Sequence, residues 1–236
     1  MMRKKKTGIP GLDDMIQGGI PEGRIILLSG GPGSGKTILS IQFLIEGIKQ
    51  GEKCAYISLE EPLKILKENM IGLGWNLEKH SKDGQLLLVD SSHLVSYQPE
   101  KVYLDKTPFI DTLEQLVQVN KIDRLVLDPI NSITIQIPST KEKRETVSKL
   151  FSLLRRVSIT SIITLEVEPS AQDFYMEKYL ADGSIILDRV IDPRFRLITT
   201  LRVEKMRGVQ CDDQPRTYTI RENGLKVYNT EQVITE

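Results

Sequence analysis

The sequence predicts an α/β protein: a mostly parallel, twisted sheet with helices on both faces, finished by antiparallel strands. Three observations predict it. Short apolar runs alternate with segments of helical periodicity through the first two thirds of the 236 residues, and that alternation calls for parallel strands joined by crossover helices. Beyond Ala181, strand-like runs follow one another with only turn signals such as Asn223-Gly224 between them, the pattern of antiparallel hairpins. The first strand runs into Gly30-Gly31-Pro32-Gly33-Ser34-Gly35-Lys36-Thr37, a G-x-x-x-x-G-K-T phosphate-binding loop, which sits between a strand and a helix.

Each element has its own signal. Arg3 to Lys6 reads as a mobile, solvated end, and the Gly/Pro-rich stretch Thr7 to Gly23, with a short amphipathic piece at Leu12 to Ile16, as a lead-in. Ile25 to Leu28 is an apolar strand, and Ile38 to Ile48 carries helical spacing with Gly51 as its stop. Cys54 to Leu59 is the second strand; Pro62 then opens a helix to about Leu73, closed by Gly74-Trp75. After a polar loop, Gln85 to Val89 forms the third strand, ending at Asp90. Ser91 to Pro108 has no period and two prolines, so it reads as a loop before a helix at Phe109 to Asn120. Arg124 to Asp128 is the fourth strand, Lys141 to Val157 a long helix introduced by Pro138-Ser139, and Thr160 to Val167 the fifth strand. Gly183 to Val190, Leu197 to Lys205, Arg216 to Ile220 and Leu225 to Tyr228 follow as strands, with a turn at Asp192-Pro193. The expected organisation is one domain over 1–236, with a lead-in at 1–23, a parallel core at 24–168 and a C-terminal β extension at 181–229.

Composition narrows the function classes. Hydrophobic residues make up 39% and charged residues 27%, ordinary for a soluble globular chain. Lys plus Arg equals Asp plus Glu at 32 each, which argues against a large electrostatic footprint on nucleic acid, although a local basic patch survives such a balance. No apolar run is long enough to enter a membrane as a span. The basic start, Met1 to Lys6, lacks the apolar stretch of a secretory signal. Cys54 and Cys211 make neither a disulfide framework nor a metal site, so a reducing cytoplasm is the expected compartment. Cys54 reads as core, and His80 and His93 have no partner at a catalytic spacing.

The loop dictates the chemistry sought around it. Its glycines let backbone N–H groups turn toward a phosphate, the ammonium of Lys36 suits the β- and γ-phosphates, and the Thr37 hydroxyl suits Mg²⁺. The following helix points its positive end at the anion. Ligands of open α/β sheets bind at the carboxyl ends of the strands, and four acidic residues fall there, at three strand ends. Asp128 after Arg-Leu-Val-Leu has the Walker B pattern of a metal-holding carboxylate, though an Asp before Pro129 also suits a turn. Glu60 and Glu61 can polarise an attacking water or, alternatively, only favour the positive start of the next helix. Glu166 either faces the site or sits at a solvated strand end. Lys205 and Arg207 project alike from a late strand, as a pair of cations for a γ-phosphate or as a solvated face.

Taken together, these residues resemble the KaiC-like branch of the RecA-type ATPases. The resemblance rests on Thr7-Gly8-Ile9-Pro10-Gly11-Leu12-Asp13, Gly18-Gly19-Ile20-Pro21, the phosphate loop, Ser58-Leu59-Glu60-Glu61, Gly74-Trp75, Arg124 to Asp128, Ala181-Asp182-Gly183 and Lys205-Met206-Arg207-Gly208. It looks like a single-domain, archaeal-type member with a RecA-like P-loop core. It implies ATP and Mg²⁺ as ligands and hydrolysis in a ring, usually a hexamer, with sites shared between subunits. By position, Gly31, Pro32, Gly33, Ser34, Gly35, Lys36, Thr37 and Ile38 would bind phosphate, with Thr37 and Asp128 on the metal. Glu60 would be the catalytic carboxylate, Glu61 its support, and Lys36 and Asp128 would complete the machinery. Lys205, Met206 and Arg207 would reach ATP of the adjacent subunit. Two departures stand out: Gln210 and Cys211 replace a frequent family His, and Asp173 to Leu180 holds no Ser or Thr where clock members autophosphorylate.

Three functions compete. The chain is a regulatory ATP-hydrolysing ring acting on a protein client, or a RadA-like DNA-binding paralogue using basic residues such as Lys141, Lys143 and Arg144, or a scaffold that senses ATP with little turnover.

Overall fold

A computed structural model of the chain describes residues 2–90, 107–135, 137–167, 176–191 and 195–232. Among them, β1 (Lys4–Lys5) pairs antiparallel with β2 (Ile20–Pro21) across α1 (Leu12–Met15). The core then runs β3 (Ile25–Gly30), α2 (Lys36–Lys49), β4 (Cys54–Ser58), α3 (Leu63–Ile71), α4 (Leu77–Lys82), β5 (Leu86–Asp90), α5 (Thr107–Asn120), β6 (Arg124–Asp128), α6 (Asn131–Thr134), α7 (Thr140–Arg156) and β7 (Thr160–Glu166). It finishes with α8 (Met176–Leu180), β8 (Gly183–Ile191), β9 (Leu197–Met206), β10 (Arg216–Arg221) and β11 (Gly224–Gln232).

The described strands β3 to β11 form one sheet in the order β5-β4-β6-β7-β3-β8-β9-β10-β11. From β5 to β8 every pairing is parallel, and from β8 to β11 every pairing is antiparallel. The change follows connection length, since parallel neighbours need a crossover while short turns return the chain antiparallel. Both faces of the parallel part are covered, so its strands are apolar on both sides. Ile26, Leu28, Tyr56, Val126 and Ile162 pack toward α2 and the lead-in, whereas Ile25, Leu27, Ala55, Ile57, Leu125, Leu127 and Ile163 pack toward α5 and α7.

Several expectations need correction. Arg3 to Lys6 is not a solvated tail. Lys4 and Lys5 pair with β2, Lys4 Nζ donates to the carbonyls of Ile16 (3.1 Å) and Gln17 (2.8 Å), and Lys5 Nζ lies 2.6 Å from Glu52. The cause is the wholly buried Arg124, which donates to Glu52 and to the carbonyls of Lys6 and Phe43 and stacks 4.6 Å from the Phe43 ring. A buried guanidinium needs such partners, and the N-terminal strand supplies one. Burial opposes the charge on Glu52, but the bonds and charges of Lys5 and Arg124 outweigh it and hold its carboxyl below the usual range. The stretch read as a polar loop before β5 contains α4, capped by Asn76, whose side chain accepts from the Lys79 N–H at 2.9 Å. The helices α6 and α8 were also not expected. Most of the Ser91 to Pro108 loop, with His93, lies outside the described residues, as does the Asp192-Pro193 turn.

Candidate active site

β3 delivers the chain to the glycine loop, and α2 leaves it with Lys36 as its first residue. The loop is tightly backed. A Cβ at Gly30 would stand 2.5 Å from the Leu187 carbonyl oxygen, and one at Gly35, whose φ is +90°, would stand 2.6 Å from the Ile220 side chain. Gly30 needs glycine for space, because the neighbour is backbone, and Gly35 needs it for its left-handed backbone. β10 fixes the loop from the other side: the buried Tyr218 hydroxyl donates to the Ser34 carbonyl at 2.5 Å. Burial pushes the Tyr218 phenol up to about 12, so it stays a donor. Arg189 of β8 approaches the Pro32 carbonyl at 3.5 Å.

The expected acids gather at this carboxyl rim of the sheet. β6 pairs with β4 in a register that sets Asp128 opposite Ser58, just before Glu60 and Glu61. Asp128 is buried and surrounded by hydroxyls. Its Oδ2 accepts from Thr37 (2.9 Å) and Tyr56 (2.6 Å), and its Oδ1 accepts from Thr164. Burial first, then the Asp128 charge, raises the Tyr56 phenol well above its ordinary value, which keeps it a hydrogen-bond donor to the carboxylate. Lys36 Nζ donates to the carbonyls of Gly30 (2.9 Å) and Gly31 (3.1 Å) and lies 3.5 Å from Glu166. Glu166 therefore faces the loop. Asn131 pins the end of its strand, accepting from the Glu166 N–H at 2.7 Å and donating to its carbonyl at 3.0 Å. Glu61 accepts from Asn69 at 3.1 Å, and burial together with the Asp128 charge raises its carboxyl above the usual range. Glu60 is exposed and lines the same cleft.

That cleft has a volume of about 710 Å³. Its lining is mixed: Lys36, Thr37, Asp128 and three glutamates are polar, and Met70, Leu73 and Ile220 are apolar. A phosphate chain suits the polar groups and a flat base the apolar ones. The Ser34 hydroxyl is buried behind the loop without a hydrogen-bond partner. Thr37 and Asp128 are hard oxygen donors on one side of the cleft, the kind of partial ligand set that Mg²⁺ completes with water and phosphate. Among the described residues no cluster of three or more His, Cys, Asp or Glu could hold a metal by itself.

Lys205, Met206 and Arg207 do not join this group. Met206 pairs with Gly183, and Gly183 pairs with Ile26, at the start of β3. Arg207 is therefore level with the amino rim, roughly 16 Å along the strands from Gly30. Tyr56, Thr164, Asn131 and Tyr218 were missed from sequence. Tyr56 carried a signal, being a phenol inside an otherwise apolar strand whose hydroxyl must find a partner. The others are ordinary polar residues whose role depends on strand register.

A family model described as "ATPase: KaiC" matches residues 5–232. A UPF0273 protein of Thermotoga maritima is 32% identical, with 98% of each chain covered. The circadian clock protein KaiC3 of Synechocystis is 33% identical over 93% of this chain and 44% of that longer protein. The crystal structure of a KaiC-like protein from the hyperthermophilic archaeon Pyrococcus horikoshii superposes with a TM-score of 0.85 at 31% identity, covering 97% of this chain and all of that one. No helix among the described residues is long and apolar enough to cross a membrane.

Proposed function

This chain belongs to the KaiC family of ATPases, and on that premise we propose that it is a Mg²⁺-dependent ATP hydrolase working as a regulatory ring, a hexamer of single-domain subunits whose sites are each completed by a neighbour. The observation that carries the reading is the separation of the two rims. The loop and its acids occupy the carboxyl rim, while the cations Lys205 and Arg207 lie at the amino rim, too far to serve their own loop. A head-to-tail ring brings one rim against the other, and the charges are complementary.

The roles follow from the donors present. Loop N–H groups and Lys36 would hold the phosphates, and Thr37 and Asp128 would hold the metal. Mg²⁺ there would supply charge neutralisation on the phosphate oxygens. Tyr56 and Thr164 keep Asp128 oriented toward Thr37. Glu60 positions or deprotonates the attacking water, supported by Glu61. Arg207, with Lys205, stabilises charge on the neighbour's γ-phosphate. Two free cysteines, one of them buried, suit a reducing cytoplasm. The client is a protein that reads the nucleotide state of the ring.

Phosphate release from Mg-ATP, with Lys36→Ala as control, and molecular mass with and without ATP test this together. Turnover that survives Lys36→Ala would sink the hydrolase, and a mass of one subunit in both states would sink the ring. ATP held at full occupancy with negligible release would leave the scaffold reading instead.

A further inference from the structure

The amino rim contains a device that sequence did not expose. Asp182 sits where the chain enters β8 and is only 2% exposed. Its backbone N–H donates to the Ile25 carbonyl at 2.9 Å, its Oδ2 accepts from the Ile25 N–H at 3.2 Å, and its carbonyl accepts from the Arg207 N–H at 2.9 Å. One residue thus ties the start of the phosphate-loop strand, through its backbone and its carboxylate, to the backbone of Arg207, through its carbonyl.

Its other oxygen faces three guanidinium groups. Oδ1 lies 3.3 Å from Arg155, 3.8 Å from Arg207 and 3.9 Å from Arg24. Arg155 is further held by the Leu180 carbonyl, and Arg207 Nη2 lies 3.4 Å from the Tyr179 carbonyl. Three cations share a single negative charge, and Lys205 stands beside them. Burial, and then the Arg207 charge, lowers the Lys205 ammonium, which fits a site with surplus positive charge. Glu204, the next acid, is occupied with Lys178 and Ser184. A close bidentate pair would fix an arginine in place. Here the geometry is long and shared, and the Arg207 side chain is 56% exposed.

Resting on the ring reading above, we propose that Asp182 is a positioning residue for the finger: it holds Arg207 in register at the rim, while Arg155 and Arg24 compete for the same oxygen and leave Arg207 free to transfer to the neighbouring subunit's γ-phosphate. Asp182 touches no nucleotide and acts through Arg207.

The test uses the whole chain and mixed assemblies. Asp182→Asn keeps the size and can still accept from the Ile25 N–H, but it removes the shared charge. Turnover should fall about 10- to 100-fold, the scale of a misplaced catalytic group, with ATP affinity unchanged. Mixing Asp182→Asn subunits with Lys36→Ala subunits should restore turnover, because the second kind donates an intact finger to the intact loop of the first. A merely structural fault in the Asp182→Asn subunit would not be rescued. Unchanged turnover in Asp182→Asn, or a loss that mixing does not repair, overturns the proposal. If Asp182→Asn does not fold, Arg155→Met decides. Removing one competitor tightens the hold on Arg207, so turnover should fall severalfold, about the worth of one exposed charge contact, and return on mixing; an unchanged or raised rate overturns the proposal. Arg207→Ala run alongside separates the two levels. Full turnover in that variant removes the trans finger itself, whereas its loss beside a normal Asp182→Asn removes only the positioning role.

Discussion

At the carboxyl rim, Asp128, Glu60, Glu61 and Glu166 surround a glycine loop; at the amino rim, Arg24, Arg155, Lys205 and Arg207 surround Asp182. The contrast lies in how each charge is held as much as in its sign. Asp128 is gripped by three hydroxyls in one orientation, which suits a group whose geometry must not change during turnover. Arg207 is held loosely and exposed, which suits a group that must change partners. Arg124 starts a strand on the same amino rim yet is the opposite case: wholly buried, it has one oxygen of Glu52, the other being bound by Lys5, together with two carbonyls and an aromatic ring. Two arginines on one rim therefore divide into one that stabilises the fold and one that remains available.

The largest effects should separate those two arginines. Arg207→Ala should retain ATP in each subunit and the folded state, and lose turnover by on the order of 10³-fold, the lower bound for an arginine finger; phosphate release and ATP titration read the two quantities independently. Glu52→Ala should do the reverse. It leaves Arg124 and Lys5 without their carboxylate, and breaking a buried pair costs about 3 kcal/mol. The expected result is a large drop in denaturant midpoint with turnover per folded subunit little changed. Equal stability losses in the two variants would erase the distinction between them.

A smaller effect tests the acids. Burial and the Asp128 charge raise Glu61, so as pH falls Glu61 takes up its proton earlier than an ordinary glutamate does. The acid limb of the turnover profile should therefore lie above the usual carboxylate range. Glu61→Gln should lower turnover about tenfold, below the full worth of a general base, and move that limb to lower pH. A profile identical in shape to the parent would take Glu61 out of the reaction.

The phosphate loop, the acids at strand ends and the change from parallel to antiparallel strands were legible because each rests on local chemistry: glycine spacing, a carboxylate ending an apolar run, a turn dipeptide. The separation of Arg207 from its own loop was suggested only by family resemblance, since a rim is a property of register between β3, β8 and β9 and not of any one strand. Asn131 was silent for the same reason, and Asp182 entered only within the Ala181-Asp182-Gly183 resemblance, without a role. The N-terminal lysines were misread because their partners, Glu52 and the carbonyls of Ile16 and Gln17, are distant in sequence, and a basic run with no nearby acid looks solvated.

The smallest predicted change probes how the antiparallel extension supports the parallel core. Tyr218 lies on β10, beyond the last parallel strand, yet its hydroxyl bonds the Ser34 carbonyl inside the loop. Tyr218→Phe keeps the buried ring and removes that one bond, worth about 1 kcal/mol. The loop then has one fewer constraint on the conformation that turns its N–H groups toward phosphate. ATP affinity should weaken about fivefold, the same energy expressed as a binding ratio, while kcat at saturating ATP stays near the parent value because the acids and Arg207 are untouched. A loss of kcat with no change in affinity would mean that β10 acts on the reacting groups and not on the loop, and the division of labour between the core and its extension would have to be redrawn.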